Sequence, residues 1–347
     1  MNILFTCAGR RNYLIDYFKK EIGGNGKIIV VDSDYTAPAL AAGDVAIKMP
    51  SLYHPDYLSV LNNVIRDYNV DLVIPLNDLE LLLMSENKEL LEAHRAKVVV
   101  SEANIISFCA DKWQTYNFFK DLSIKTPLSF LKIEDVVEAL SKKILSYPII
   151  LKPRWGSGSI GIEEVRSEEE LYYAYKLLLI KIKRSVIANM HDDDFVDTII
   201  FQEKIVGQEY GVDILNDFNG NYYSAFVRKK LAMRAGETDK AITVIDNKFL
   251  EIAQKLGEST KHIGIMDCDF FVVDNEIYFL EMNPRFGGGY PFSHEAGVNI
   301  PAIYLAWLRG DLDISKYIDY RPGCIFSKYD RIIKVVEQEK LNSYPPA

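Results

Sequence analysis

The run Glu281-Met282-Asn283-Pro284-Arg285 carries the densest chemistry in this chain. Residues 277–280 before it suit a strand, and Phe286 and the glycines Gly287 to Gly289 follow it. Side chains alternate across a strand, so Glu281 and Asn283 share a face. Two hard oxygen donors one strand step apart suit Mg²⁺, which is commonly held by one or two carboxylates and completed by substrate phosphates. Arg285 lies just beyond, and a guanidinium takes phosphate oxygens bidentately. The segment implies a Mg²⁺ site that shares its ion with a nucleotide phosphate.

A second acid depends on hairpin parity. Residues 267–273 read as a strand, followed by the turn formers Asp274, Asn275 and Glu276. A three-residue loop makes Val273 face Ile277 and sets Asp269 opposite Glu281. A two-residue Asp274-Asn275 loop sets Cys268 there instead, because a one-residue slip reverses every side chain. A metal face of Asp269, Glu281 and Asn283 thus requires the odd loop or an equivalent bulge. The competing reading is an ordinary hairpin with solvated acids.

The elements that position these residues follow from the rest of the chain. Its 347 residues are enough for two or three domains with substantial cores. No apolar run approaches the roughly 20 residues that span a bilayer. The net charge of −9 argues against a nucleic-acid partner. Cys7, Cys109, Cys268 and Cys324 are scattered, with neither zinc spacing nor a disulfide framework. Met1-Asn2-Ile3 opens no secretory leader, so a reducing cytoplasm is expected.

Residues 2–6, 27–31, 71–75 and 97–100 are short Val- and Ile-rich runs. Residues 12–20, 56–68 and 79–94 show helical spacing, with Leu58, Leu61, Ile65 and Tyr68 on one face. This alternation predicts a parallel, doubly wound sheet. The first turn, Cys7-Ala8-Gly9-Arg10-Arg11, lacks the glycine fingerprint of a dinucleotide site, so Asp32 after the second strand does not make a dehydrogenase. A helix is expected over 111–122, strands over 147–153, 201–215, 222–233 and 324–335, and helices over 168–184 and 247–256. Asp192-Asp193-Asp194 has no ligand spacing and reads as a solvated loop.

Lys152 lies inside an apolar strand, where an unpaired ammonium is costly and a phosphate is a suitable partner. Gly156-Ser157-Gly158-Ser159 follows, and glycines let backbone N–H groups approach phosphates closely. No Gly-Lys-Ser/Thr completes a Walker A motif. The basic cluster Arg228, Lys229, Lys230 and Arg234 is the place where an acidic chain could meet a polyanion.

Taken in order, these motifs resemble the ATP-grasp superfamily, and look most like carbamoyl-phosphate-synthase large-subunit-like ligases. The likeness spans roughly 1–310 and includes a hinge, Gln202-Glu203-Lys204-Ile205-Val206-Gly207-Gln208-Glu209. It implies an α/β fold: a Rossmann-like parallel sheet over 1–110, then a two-part α+β ATP-grasp domain. The latter comprises a lid subdomain over 111–200 with the Gly/Ser loop and a C-terminal subdomain over 201–347 with the metal hairpin.

The resemblance also implies roles. Lys112 and Lys152 would contact ATP phosphates beneath Gly156, Ser157, Gly158 and Ser159. The backbone of Lys204 and Ile205 would meet adenine beside Glu203, and Glu209 the ribose. Asp269, Glu281 and Asn283 would hold Mg²⁺ or Mn²⁺, and Arg285 would steady the transferred phosphoryl group. Arg228 and Arg234 would serve the acceptor, together with Arg10, Arg11 and the loop to His294. The implied reaction is carboxylate activation as an acyl phosphate, followed by attack of an amine, with ADP released. The alternatives are bicarbonate or carbamate phosphorylation within a carbamoyl-phosphate-synthase-like complex, and a non-catalytic ATP-binding regulator. The implied partners are a small carboxylate and an amine, and the resemblance admits a homodimer.

Overall fold

The computed structural model describes residues 1–156, 161–185 and 197–335. Ser157, Gly158 and Ser159 of the Gly/Ser loop and the Asp192-Asp193-Asp194 loop lie outside the described residues.

The N-terminal alternation builds a five-stranded parallel sheet. Its order is Val45–Lys48, Ile28–Asp32, Ile3–Thr6, Leu72–Pro75, Lys97–Val98. Helices cover both faces, which is why the inner strands are apolar throughout. Phe5 and Val30 pack with Leu14 and Phe18 on one face, and Leu4 and Val31 with Leu61 and Ile65 on the other. Val45–Lys48 is an added edge strand, short and partly exposed, that was not among the expected runs. The helix expected over 79–94 is two helices, Asp78–Glu86 and Lys88–Glu92. They break at Asn87, whose side chain donates to the Leu83 carbonyl at 2.8 Å and so competes with the helix ladder.

Two antiparallel sheets follow. The smaller has the order Ser129–Phe130, Ile199–Glu203, Ile149–Pro153, Glu163–Val165, with Leu151 and Phe201 packed against Leu171, Leu178 and Ile182 of the helix Glu168–Lys183. The larger has the order Glu276–Asn283, Ile265–Val273, Gln208–Asn216, Tyr222–Arg234, Glu237–Val244, Ile325–Ser327. The single strand expected over 201–215 is therefore two strands in two different sheets, parted at residues 204–207. The strand expected over 324–335 is only Ile325–Ser327, since Lys328-Tyr329-Asp330-Arg331 breaks the period of two.

Alternation gives the six-stranded sheet two unlike faces. Val212, Ile214, Val227, Cys268, Phe270, Phe279 and Met282 form an apolar face with Phe249, Ala253 and Leu256 of the helix Asn247–Thr260. Phe119 of the helix Lys112–Asp121 stacks on Phe279 with ring centres 3.5 Å apart. The opposite face carries the charged residues. Because this stack carries the polar hairpin on its back, Phe279→Ala should lower the unfolding free energy by about 3–5 kcal/mol. A urea titration that leaves the transition midpoint unmoved would contradict this packing role.

Candidate active site

The hairpin solves the parity problem with a bulge. Asp274 and Asn275 have φ of 47° and 69°, the geometry of a two-residue type I′ loop, and Val273 pairs with Glu276. The odd loop is therefore absent. The register then shifts, so that Phe270 faces Phe279 but Asp269 faces Glu281, with Leu280 as the extra residue. Asp267 faces Asn283 one step on. Asp267, Asp269, Glu281 and Asn283 thus share the polar face, with Cys268 and Met282 buried on the other.

Neighbouring strands bring cations to these acids. Lys230 is 5% exposed; its ammonium lies 2.7 Å from Asp269 and 3.6 Å from Glu209. Burial pushes the Asp269 carboxyl up to about 6, Lys230 opposes this, and Asp267 and Glu281 add to it. Arg228 is 1% exposed and sits between Asp213 at 2.7 Å and Asp267 at 2.5 Å. Two glycines make room: a Cβ on Gly287 would fall 2.1 Å from Asp267, and one on Gly289 2.2 Å from Arg228. Arg285 is also largely buried; it donates to Asp78 at 2.7 Å, and its other nitrogen lies 3.8 Å from Asp267.

Lys112 and Lys152 approach the same ground, Lys112 from the helix Lys112–Asp121 and Lys152 from the smaller sheet. The Lys152 ammonium has no hydrogen-bond or ion-pair partner among the described residues. Burial and the neighbouring Lys112 ammonium push it down to about 8, and Glu281 opposes them. Lys112 is also lowered by burial, against Glu281, Asp78 and Asp111, and donates to the Gly156 carbonyl at 2.6 Å. Both lysines therefore lie within reach of the Glu281 charge. Asp111 caps its helix through the amides of Trp113 and Gln114, and accepts from Nε and Nη2 of Arg154 at 2.7 and 2.6 Å. Burial raises Asp111, but the bonds from Arg154 and Gln114 overrule it and hold the carboxyl below its usual range.

The remaining expected residues spread along the cleft. Glu203 accepts from the Leu128 amide at 3.2 Å, and Lys204 pairs with Glu164 at 2.5 Å. Lys204 and Ile205 lie between the ladders of the two sheets. Arg234 is not brought to the acids: register shifts after Lys230 carry it to an exposed hairpin end, where it pairs with Asp239 and Asp330. Arg10 is exposed and pairs with Asp330 at 3.7 Å, while Arg11 donates to the Phe286 carbonyl at 2.5 Å. His294 stacks on Tyr17 at 3.6 Å and shares a hydrogen bond with Tyr290; burial pushes it down to about 4. It is a neutral packed ring.

Three participants escape a reading by motif. Lys230 lay in the basic cluster, and its two-residue spacing from Arg228 was the available signal. Asp267 shares the same period with Asp269. Asp78 opens a helix behind Asn77, with Glu80 completing a capping box, a pattern visible in the chain.

Among the described residues, no three His, Cys, Asp or Glu side chains are grouped to hold a metal by themselves. The donor set nevertheless fits Mg²⁺ bound jointly with a nucleotide: two facing carboxylates and an amide, with phosphates as the other ligands. The raised Asp269 is an acid that a cation would bring back to its ionised form.

Comparison with known proteins agrees with this geometry. Residues 109–289 match the model of the ATP-grasp domain, and residues 3–99 that of the PylC-like N-terminal domain. The chain belongs to the ATP-grasp family. It is 28% identical over 197 residues to the D-alanine–D-alanine ligase of Helicobacter pylori, a match covering 53% of this chain and 52% of that ligase. The chain thus spans about half the length of that relative. It is 24% identical over 225 residues to the carbamoyl phosphate synthase large chain of Campylobacter jejuni, covering 62% of this chain and 20% of that one. Its fold is shared with the biotin carboxylase domain of the Hydrogenobacter thermophilus 2-oxoglutarate carboxylase, at 17% identity and a TM-score of 0.72, over 93% of this chain and 73% of that one.

The glycine contacts make a direct test. Gly289→Ala must displace a guanidinium that has no room to move, so it should destabilise the protein by about 1–3 kcal/mol. Thermal melting checks it. A melting temperature equal to that of the parent would show that Arg228 is not held this tightly.

Proposed function

We propose that the chain is an ADP-forming ligase that phosphorylates a small carboxylate with MgATP and passes the acyl group to an amine. The observation that carries this is the facing of two buried lysines, Lys112 and Lys152, toward the paired acids Asp269 and Glu281. Cations on one side and metal-binding acids on the other are what a polyphosphate and its Mg²⁺ need. The matches to a D-alanine–D-alanine ligase and a carbamoyl phosphate synthase support the same chemistry.

Asp269, Glu281 and Asn283 would hold the ion, which neutralises phosphate charge as it moves. Lys112 and Lys152 bind the phosphates, and Gly156, Ser157, Gly158 and Ser159 cover them. Lys204 and Ile205 offer backbone groups to adenine beside Glu203, and Glu209, steadied by Lys230, takes the ribose. Arg285 lies at the transferred phosphoryl group. Arg228 acts by holding Asp267, and Arg234 stands with Arg10 at the cleft mouth, where they share Asp330. The carboxylate would sit between Arg11 and the loop after Arg285. Phosphoryl transfer of this kind works by positioning and charge neutralisation.

Three units, 1–110, 111–200 and 201–347, divide these tasks. The four cysteines are free, as suits a cytoplasmic enzyme, and a homodimer is the proposed assembly. Among the described residues no helix is long and apolar enough to cross a membrane. The direct experiment is ADP formation from MgATP against pools of carboxylates paired with amines. Failure of every pair, with MgATP bound, would sink the ligase reading.

Two further outcomes are expected. Lys152→Ala should weaken MgATP binding, whereas Glu281→Gln should lower turnover on the order of 10²–10³-fold with a smaller effect on affinity. Unchanged turnover in Glu281→Gln removes its metal role. The second outcome concerns pH. A carboxylate must shed its proton to hold a cation, and Asp269 keeps its proton up to about 6. MgATP affinity should be full above that value and fall as pH drops through it, roughly tenfold per unit where one proton is displaced. Calorimetric titration showing a flat profile would contradict the assignment of Asp269.

A further inference from the structure

Arg285 is held from the N-terminal part of the chain. Its Nη2 donates to Asp78 Oδ2 at 2.7 Å, and its Nη1 donates to the Phe286 carbonyl at 3.2 Å. The next carboxylate, Asp267, lies 3.8 Å from Nη1, and Glu281 is near enough to favour the charged guanidinium. Both of those acids belong to the polar face of the hairpin.

Asp78 is not loosely presented. It is the first residue of the helix Asp78–Glu86, whose cap Asn77 accepts from the Leu79 amide at 3.0 Å. Glu80, fully buried, accepts from the amides of Leu76 at 3.0 Å and Asn77 at 3.2 Å and from the Tyr57 hydroxyl at 3.1 Å. One buried acid thus fixes the turn from which another reaches across to the hairpin. A helix start needs a cap but not an acid aimed at a remote arginine.

An arginine cannot shed its charge. Released from Asp78, its guanidinium would find Asp267 and then Glu281, and there it would compete with a divalent cation. We propose that Asp78 is a positioning residue that holds Arg285 off the metal-binding carboxylates, leaving those acids to the ion and the guanidinium to the phosphate. This rests on the roles proposed above for Glu281 and Arg285.

The test is calorimetric binding of the β,γ-imido analogue of ATP to the full chain over a range of Mg²⁺ concentrations. Asp78→Asn should raise the Mg²⁺ needed for half-maximal binding about three- to tenfold, because an unpaired buried charge seeks a new partner. Asp78→Glu, which keeps the charge, should show a smaller rise. Asp78→Asn combined with Arg285→Met should show no rise beyond that of Arg285→Met alone, since no guanidinium remains to compete. A role limited to stability would leave the Mg²⁺ requirement alone.

No rise in either single Asp78 variant, or a rise in the double variant beyond that of Arg285→Met alone, overturns the proposal. If Asp78→Asn does not fold, Asp78→Glu carries the comparison. Arg285→Met tests the underlying reading separately: it should weaken the analogue relative to MgADP. An unchanged ratio there removes the phosphate role of Arg285, a result distinct from an unchanged Mg²⁺ requirement.

Discussion

Two acids on adjacent strands serve one ion only if the pleat points both the same way. The tight Asp274-Asn275 turn alone points them apart. The extra residue Leu280 corrects the phase after Phe279 has been committed to the core and before Glu281 is needed at the surface. The same strand therefore anchors an aromatic stack on one face and presents a carboxylate on the other. Everything else about the site is arranged around this local departure from regular pairing.

The polar face that results is crowded with charge, and it is mostly buried. Arg228 between Asp213 and Asp267, Lys230 beside Asp269, and Arg285 beside Asp78 are pairs whose partners could not be removed singly without stranding a buried ion. Such pairs are weak evidence of stability. They are better explained as a means of fixing where each charge points. Gly287 and Gly289 belong to the same logic, since only residues without a Cβ let the following loop close over Asp267 and Arg228.

Much of this was legible in the chain. The apolar runs of the N-terminal sheet, the period of two in the hairpin strands, and Lys152 followed by Gly156 gave the architecture and most of the cleft. The rest was hidden for physical reasons. A bulge is one residue of slack and leaves no mark in composition, so the parity could be posed but not decided. Residues 201–215 read as one strand, although their two halves belong to different sheets. Arg234 looked like part of the basic cluster, but two register shifts separate it from Lys230. Asp78 and Arg285 are remote in sequence, and their pairing is a property of how the N-terminal sheet docks.

That docking explains why an added domain belongs at this site. The C-terminal ends of parallel strands are where open α/β sheets gather their ligands. Here the turn after Leu72–Pro75 delivers Asp78, and the loop after Ile3–Thr6 delivers Arg11 to the Phe286 carbonyl. Both land on the segment that follows the metal strand. On the other side the Lys112 ammonium depresses Lys152, a penalty that an anion placed between them would remove. Lys112 also holds the Gly156 carbonyl at the root of the Gly/Ser loop. A polyphosphate entering the cleft would thus relieve the two lysines and complete the acids in one event, which links nucleotide binding to the joining of all three sheets.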